Sequence, residues 1–364
     1  MIMKISLNLP LSLLLLSTFL LSFPSPSYQQ HPHTFSNPRL KKAYIALQAW
    51  KKSITDDPNN FTRNWEGYNV CNYNGVFCAP SLDNSYVQTV AGIDLNHANI
   101  AGSLPKKLGL LTDLALFHIN SNRFCGSFPY TLKNWCLLYE LDVSNNYFNG
   151  GFPKVLLSLP SLKFIDIRYN YFNGPIPSKL FDLKLDAIFI NNNNFTSKFP
   201  QNIGNSPVSV VVLANNNFQG CLPNSISKMS KTLNEFILEG AGLKGCLPSG
   251  IGKLTQLTVL DVSYNELSGP LPDSIGKMKN LEQLNVAFNS FSGEIPASIC
   301  RLPKLENFTY SYNFFSHAPY ECLKLKSKDD IFNCIPNRPS QRSHSACTSF
   351  NAYPISCESF GCYY

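Results

Sequence analysis

Apolar residues recur along the chain in the pattern LxxLxLxxN, with a repeat length of 23 to 25 residues. The pattern is clear at Leu138, Leu141, Val143 and Asn146, and a glycine and a proline follow in the same repeat. The alternation LxL predicts a short strand with one side in the core, and the asparagine predicts a side chain that bonds the following turn. Because one repeat cannot bury its apolar side alone, neighbouring repeats must stack.

A degenerate last copy lies at residues 305–317, and with it we expect about ten repeats. This predicts an α/β leucine-rich-repeat solenoid, a curved parallel sheet of 23–25-residue repeats with disulfide-bearing end caps. Local weakness is expected at Ala98 and Ala241, which replace the repeating asparagine. The asparagines expected to form a ladder are Asn122, Asn146, Asn170, Asn193, Asn216, Asn265, Asn289 and Asn313.

The chain divides into four predicted regions. Lys4 precedes an apolar run from Leu11 to Phe23, which predicts a cleaved signal peptide over residues 1–27; a signal anchor is the alternative. Residues 28–88 form an N-terminal helical and disulfide cap, in which Asn37 and Pro38 begin an amphipathic helix. Repeats fill residues 89–318, and residues 319–364 form a cysteine-rich C-terminal cap or hinge. No later apolar stretch predicts an integral membrane segment.

Twelve cysteines in a secreted chain predict disulfides. Cys221 and Cys246 occupy equivalent places in adjacent repeats, so we expect them to pair, and we expect Cys125 to pair with Cys136. The C-terminal connectivity stays open. No CxxC pair occurs, so no metal site and no cofactor are expected. The cysteines assigned to disulfides are Cys71, Cys78, Cys125, Cys136, Cys221, Cys246, Cys300 and Cys322.

Three Asn-x-Thr sequons, at Asn60, Asn194 and Asn307, are consistent with secretion and predict surface N-glycosylation sites.

The residues between the strand leucines predict a concave binding face. Ten of them are acidic, against the two cations Lys163 and Arg168, whereas the whole chain carries +7. Such segregation favours a basic partner, although some acids could merely solubilise the sheet. Large aromatic side chains accompany them. The predicted peptide-binding residues are Asp94, His118, Glu140, Asp142, Phe164, Asp166, Tyr169, Phe189, Glu235, Glu239, Asp261, Tyr264 and Phe288.

Catalysis is not expected. The acids are spread along the face and single out no glycosidase pair, and His97 and His118 have no nucleophile motif beside them. Phosphate-loop, dinucleotide and nucleic-acid motifs are also missing, so no nucleic-acid partner is expected. The positive remainder of the surface could contact acidic wall polysaccharide.

The chain closely resembles the plant leucine-rich-repeat extensins, a group of hydroxyproline-rich cell-wall glycoproteins, over residues 37–362. The blocks that carry the resemblance are NPRLKKAYIALQAWKK, NVCNYNGVFCAP, TVAGIDLNHANIAG, LGLLTDLALFHINSNRFCG, PVSVVVLANNNFQGCLP, PASICRLPKLENFTYSYNFF and the terminal FGC. Family members continue into a tail of serine followed by proline runs, whereas this chain stops at Tyr364. We therefore expect a member that lacks the extensin tail and is held less tightly in the wall; a truncated sequence is the alternative.

The resemblance implies a secreted, extracellular, cell-wall-associated protein that regulates wall formation and cell growth. It further implies that the repeats bind small basic, cysteine-containing signalling peptides, the rapid alkalinization factors, and that the protein tends to form homodimers. Two other functions stay open: an inhibitor of a wall-degrading enzyme such as polygalacturonase, and a purely structural wall component.

Overall fold

A computed structural model describes residues 35–353 and 357–362, so the predicted signal peptide lies outside the described residues. Its main feature is a twelve-stranded sheet in which β2 and β3 are antiparallel and all later neighbours are parallel. The strands, in spatial order, are β2 Val76–Pro80, β3 Gln88–Asp94, β5 Leu116–His118, β7 Glu140–Asp142, β9 Phe164–Asp166, β11 Ala187–Phe189, β13 Val210–Val212, β14 Glu235–Ile237, β16 Val259–Asp261, β18 Gln283–Asn285, β20 Asn307–Thr309 and β22 Ser327–Asp329.

A second row of strands runs beside the first and is interrupted once, at the repeat of Gln219, which forms an isolated bridge with Lys198 in place of a strand. Its strands before the interruption are β1 Ile54–Asp56, β4 Ala101–Ser103, β6 Arg123–Gly126, β8 Tyr147–Gly151, β10 Tyr171–Gly174 and β12 Asn194–Phe195. Those after it are β15 Lys244–Gly245, β17 Glu266–Gly269, β19 Ser290–Glu294 and β21 Phe314–His317.

Short helical arms return the chain from the second row to the twelve-stranded sheet. Each begins directly after a proline except the arm at Ile203–Asn205, as the glycine–proline pattern predicts. The 3₁₀ arms are Lys106–Leu110, Tyr130–Asn134, Lys154–Ser158, Ser178–Asp182, Ile203–Asn205, Asn224–Met229, Ser249–Lys253 and Asp273–Lys277, and the last two arms are the α-helices α2 Ala297–Cys300 and α3 Tyr320–Leu323.

The first repeat is covered by helix α1, Pro38–Ser53. The predicted cap is confirmed: the Asn37 side chain accepts hydrogen bonds from the backbone N–H groups of Arg39 and Leu40, and Pro38 is the first helical residue. Trp50 is fully buried on its inner side, with its ring centroid 5.6 Å from that of Phe117 in the second rung. The helix thus shields an apolar end that an uncapped solenoid would expose.

The predicted asparagine ladder is confirmed, and Asn146 shows how it works. Its amide nitrogen donates to the carbonyls of Val143 and Ser144 in its own turn and to Ile119 in the preceding repeat, and its oxygen accepts from the N–H of Phe124. The side chain therefore satisfies four buried backbone groups and ties two repeats together. Asn333 does the same in an eleventh rung, formed by β22, which lies beyond the ten predicted repeats.

At the Ala241 gap the backbone replaces the missing asparagine. The N–H of Phe218, which a ladder amide would satisfy, donates to the carbonyl oxygen of Ala241 at 2.8 Å. This close approach requires Gly242, because a Cβ there would lie 2.4 Å from the Phe218 oxygen. The expected weakness at this repeat is therefore offset by a backbone hydrogen bond that Gly242, with a φ of 84°, makes possible.

The predicted pairing of Cys221 with Cys246 is wrong. Cys221 is bonded to Cys362 and Cys246 to Cys357. The two neighbouring cysteines therefore bind the C-terminal segment to the repeats and are not bonded to each other. Adjacent rungs do place Cys221 and Cys246 near each other, but the returning C-terminal segment presents Cys362 and Cys357 to them at a similar spacing. The other disulfides are Cys71–Cys78, Cys300–Cys322 and Cys334–Cys347.

The expected pair of Cys125 and Cys136 is also wrong, since both are free and exposed. Cys125 belongs to β6 in the second row of strands, whereas Cys136 follows the arm Tyr130–Asn134 on the way to the twelve-stranded sheet. The two residues therefore lie at different sides of the repeat coil, although only ten residues separate them in the chain.

The C-terminal segment folds back along the second row of strands. Helix α4, His344–Asn351, is held where the Phe350 ring stacks on Phe314, and the 3₁₀ turn Cys357–Phe360 contacts β15. Gly245 makes room for it, because a Cβ there would lie 2.2 Å from the Cys362 sulfur. Within the described residues, no helix has the length and apolar character needed to cross a membrane.

Candidate binding face

The side of the twelve-stranded sheet that faces away from the core is the concave face. Each three-residue strand buries its middle residue and turns its first and third residues outward, so these form two columns in register along the sheet. The third-residue column runs through Asp94, His118, Asp142, Asp166, Phe189, Val212, Ile237, Asp261 and Asn285. The first-residue column includes Glu140, Phe164, Ala187, Val210, Glu235 and Val259.

The predicted aspartates of the concave face mostly hold turns. Asp94, Asp142 and Asp261 each accept a hydrogen bond from the backbone N–H two residues later, at 2.9 Å. Asp142 also accepts from the Asn120 amide, and Asp261 from Asn285 and the Ser263 hydroxyl. These three carboxylates therefore already have hydrogen-bond partners within the protein. Stabilising the turns explains their presence better than ligand binding does.

His118 and Glu140 form an ion pair across neighbouring rungs, with 3.3 Å between Nε2 and Oε1. Burial lowers the pKa of His118, but the Glu140, Asp142 and Asp94 carboxylates outweigh it, so that the net pKa is raised. The sequence places both residues at the binding face, where each already has the other as its partner.

Asp166 is only 1% exposed, so it is not the solvent-facing charge that the sequence predicts. Burial, together with the neighbouring Asp142 carboxylate, raises its pKa from 3.8 to about 7, although Arg168 opposes the shift. The Arg168 Nε lies 3.0 Å from the Asp166 Oδ2. A buried carboxyl of this kind is protonated in mildly acid surroundings and then contributes no charge to the face.

An apolar cluster occupies the middle of the concave face. It contains Ala187, Phe189, Val210, Val212 and Ala214, with Phe164 and Ile237 packed against it. Phe189 was predicted as an exposed anchor but is 4% exposed, because Phe164 packs beside it and the Arg168 guanidinium lies over its ring at 5.2 Å.

Next to this cluster, two acids of the concave face lack the internal partners that Asp261 has. Glu235 and Glu239 are half-buried, and their carboxylates make no hydrogen bond or ion pair within the described residues. Burial raises the pKa of both groups, and Asp261 adds to the rise at Glu239. Carboxylates held in this way favour a cation that would replace the lost solvation.

The aromatic residues follow the strands by three positions, at the carboxyl edge of the concave face. Tyr169 is 53% exposed and Tyr264 54% exposed, whereas Phe288 is half-buried between two other rings. All three adopt positive φ, between 53° and 54°, in the turn that the ladder asparagine stabilises. The two tyrosines are exposed to solvent, and their assignment as contact residues stays a prediction.

The sequons differ in their relation to this face. Asn60 and Asn194 are exposed away from it, while Asn307 is the first residue of β20 and therefore lies in the first-residue column. Its side-chain oxygen already accepts from Thr309 and Ser327.

Two family models match the chain: the leucine rich repeat N-terminal domain at residues 43–79, and the Leucine Rich Repeat at residues 256–278 and 280–302. With the fold, these matches define a leucine-rich-repeat protein with an N-terminal cap. Leucine-rich repeat extensin-like proteins 6 and 7 of Arabidopsis thaliana are 68% and 67% identical over 328 residues. Each match covers 90% of this chain, and 70% and 76% of those proteins. The chain belongs to the leucine-rich repeat extensin-like family.

Solved structures with the same fold include plant receptor ectodomains. The Arabidopsis receptor kinase HAESA, solved with the peptide hormone IDA and the co-receptor SERK1, has a TM-score of 0.72 and 28% identity, covering 80% of this chain and 50% of that one. A TDR receptor has a TM-score of 0.64 and 30% identity, covering 68% of this chain and 43% of that one.

Proposed function

We propose that this chain is a secreted, cell-wall-associated protein that captures small basic, cysteine-containing signalling peptides on its concave face and thereby regulates wall formation and cell growth. The observation that carries the proposal is a pair of half-buried carboxylates, Glu235 and Glu239, which have no partner among the residues that the structure describes. Similarity to extensin-like proteins and to a receptor that binds a peptide hormone supports the same function.

The expected contact surface is the second half of the concave face, from β14 onward. Glu235, Glu239 and Tyr264 are available there, whereas Glu140, Asp142 and Asp166 already have internal partners. A basic peptide would pack apolar side chains near Ile237 and place cations beside the free carboxylates.

Calorimetric titration with a synthetic peptide of the rapid alkalinization factor type tests this function. We expect binding that weakens as salt is raised, because exposed charge contacts are screened. In parallel, polygalacturonase activity is measured with and without the protein. Inhibition of that enzyme, together with no peptide binding at low salt, would overturn the proposal in favour of the enzyme inhibitor.

We also propose a homodimer linked through the free thiols. Cys125 and Cys136 are exposed and unpaired, and leftover cysteines in an oxidising compartment favour intermolecular bonds. Non-reducing gels should show a dimer that Cys125→Ser or Cys136→Ser abolishes. A monomer under all oxidising conditions contradicts this part of the proposal.

Acidic wall polysaccharide is proposed as a partner of the opposite side. Six of the 3₁₀ arms carry an exposed lysine, two, four or five residues after the preceding proline, so that positive charge recurs along the side away from the concave face. These residues are Lys107, Lys133, Lys179, Lys228, Lys253 and Lys277. Cosedimentation with de-esterified pectin should occur at low salt, and binding that survives changing all six lysines to glutamine contradicts the assignment.

A further inference from the structure

Four aromatic rings form a continuous stack along the carboxyl edge of the concave face. The ring centroids are 4.2 Å apart for Tyr264 and Phe288, 4.1 Å for Phe288 and Tyr312, and 4.6 Å for Tyr312 and Phe332, with planes within 10° of parallel. The rung spacing sets these distances. Each ring is held by its neighbour, so the first one, Tyr264, has a fixed orientation and only one stacked side.

Gly240 occupies the next position of this stack. Its N–H donates to the Ser263 carbonyl, just as the N–H of Tyr264 donates to Ala287 and that of Phe288 to Ser311. Its φ of 57° matches the 54° of Tyr264. The register therefore brings a residue without a side chain against the free side of the Tyr264 ring, and Tyr264 is 54% exposed.

Polar acceptors border this position. The Asn215 amide oxygen lies 2.8 Å from the point that a Gly240 Cβ would occupy, and the Asn215 side chain makes no hydrogen bond within the described residues. Glu239 precedes Gly240 in the chain, and its half-buried carboxylate has no partner there either. The Tyr264 ring and the Asn215 amide oxygen thus border a space into which Gly240 sends no side chain, and Glu239 is the next residue in the chain; we call this space the Gly240 slot.

We infer that the Gly240 slot binds the guanidinium group of an arginine side chain of the captured peptide. A planar cation would continue the stack on Tyr264 while its N–H groups donate to Glu239 and Asn215. Arginine fits better than lysine, because its guanidinium is flat, weakly hydrated and able to stack. The protein already makes such contacts internally, with Arg168 over Phe189 at 5.2 Å and Arg342 over Phe314 at 4.1 Å.

This inference rests on the proposed function, so its test uses two kinds of probe. The first is the synthetic rapid alkalinization factor-type peptide, in which each arginine is changed to lysine in turn. We expect one change to weaken binding by about tenfold, the loss of a partly desolvated cation–π contact, and the others to have little effect. The second probe is N-acetyl-arginine amide, compared with N-acetyl-lysine amide by saturation-transfer NMR; only the arginine compound should give a signal.

Three variants locate the effect. Gly240→Tyr fills the slot with a fifth ring; Tyr264 and Tyr312 show that tyrosine adopts this backbone angle, and the Asn215 amide, 2.8 Å from the new Cβ, must turn aside. Tyr264→Leu removes the stacking surface. Both should abolish the preference for arginine. Ser121→Tyr adds a ring at the equivalent position of an early repeat, where φ is 56°, and should leave the preference unchanged. Unfolding midpoints of all three verify that the fold persists.

The outcomes separate the slot from the proposed function. Peptide binding that is tight in wild type yet indifferent to every arginine-to-lysine change and to Gly240→Tyr overturns the slot and leaves the proposed function standing. An N-acetyl-arginine amide signal that Gly240→Tyr removes supports the slot even if the chosen peptide does not bind, in which case the proposed peptide class is wrong.

Discussion

The two halves of the concave face carry similar residues but use them differently. In the first half, Glu140 pairs with His118 and the buried Asp166 with Arg168. In the second half, Asp261 has internal partners, but Glu235 and Glu239 have none in the part of the chain that the structure describes, and a stack of rings begins at Tyr264. The acids are alike in the sequence, but their surroundings differ. Those with internal partners stabilise the sheet, and the others remain available to a binding partner.

The largest expected effect concerns the buried carboxyl of the first half. The folded-state pKa of Asp166, about 7, lies above its ordinary 3.8, so the native state retains a proton that the unfolded chain loses. Stability is therefore lost as pH rises from about 4 to 7. Asp166→Asn removes this loss and should gain up to about 4 kcal/mol relative to wild type between pH 4 and pH 8.

Denaturant unfolding of wild type and variant at both pH values measures this difference. Asp186→Asn is the matched control, because Asp186 lies one rung further, its side chain is 55% exposed, and its contact with Lys163 is loose at 3.8 Å. A pH dependence that is the same for wild type and Asp166→Asn would contradict the burial argument.

A slightly smaller effect is expected for a disulfide that holds the C-terminal segment against the second half of the repeats. Cys246→Ser combined with Cys357→Ser opens a disulfide that spans 111 residues and should lower the free energy of unfolding by about 3 kcal/mol. Cys71→Ser combined with Cys78→Ser opens a disulfide that spans only seven residues and should lower it by less. An equal free energy of unfolding for the double variant and wild type would show that this disulfide does not stabilise the repeats.

The smallest effect is expected at the ion pair of the first half. The pKa of His118 is raised in the fold, so its pairing with Glu140 contributes below pH 6.5 and is lost as pH rises through the folded-state pKa. His118→Gln should therefore cost about 0.5 kcal/mol at pH 5 and almost nothing at pH 8. Unfolding curves at the two pH values check this, and a larger cost at pH 8 would contradict the pairing.

Local and periodic features of the fold were predictable from sequence. The ladder, the Asn37 cap and the repeat register follow from short-range patterns. The disulfide partners of Cys221 and Cys246 were not predictable, because they lie more than a hundred residues away in the sequence, in the C-terminal segment.

The sequence predicted which residues of the candidate face point outward. It did not predict which of their side chains are free of contacts within the protein. Exposure of Phe189 depends on where Arg168 places its guanidinium, and the engagement of each aspartate depends on the turn after it. Gly240 could have been noticed by aligning the residues before each ladder position, which are aromatic in the repeats that follow it.

The central claim is that the partner binds to the second half of the concave face, and a comparison of two double variants tests it most directly. Glu235→Gln with Glu239→Gln, and Asp94→Asn with Glu140→Gln, each remove two carboxylates from the face. Calorimetric titration with the basic peptide should show about a tenfold loss of affinity for the first variant, the loss expected for two half-buried charge contacts, and less than a twofold loss for the second. Equal losses, or a larger loss for the second variant, would contradict the account.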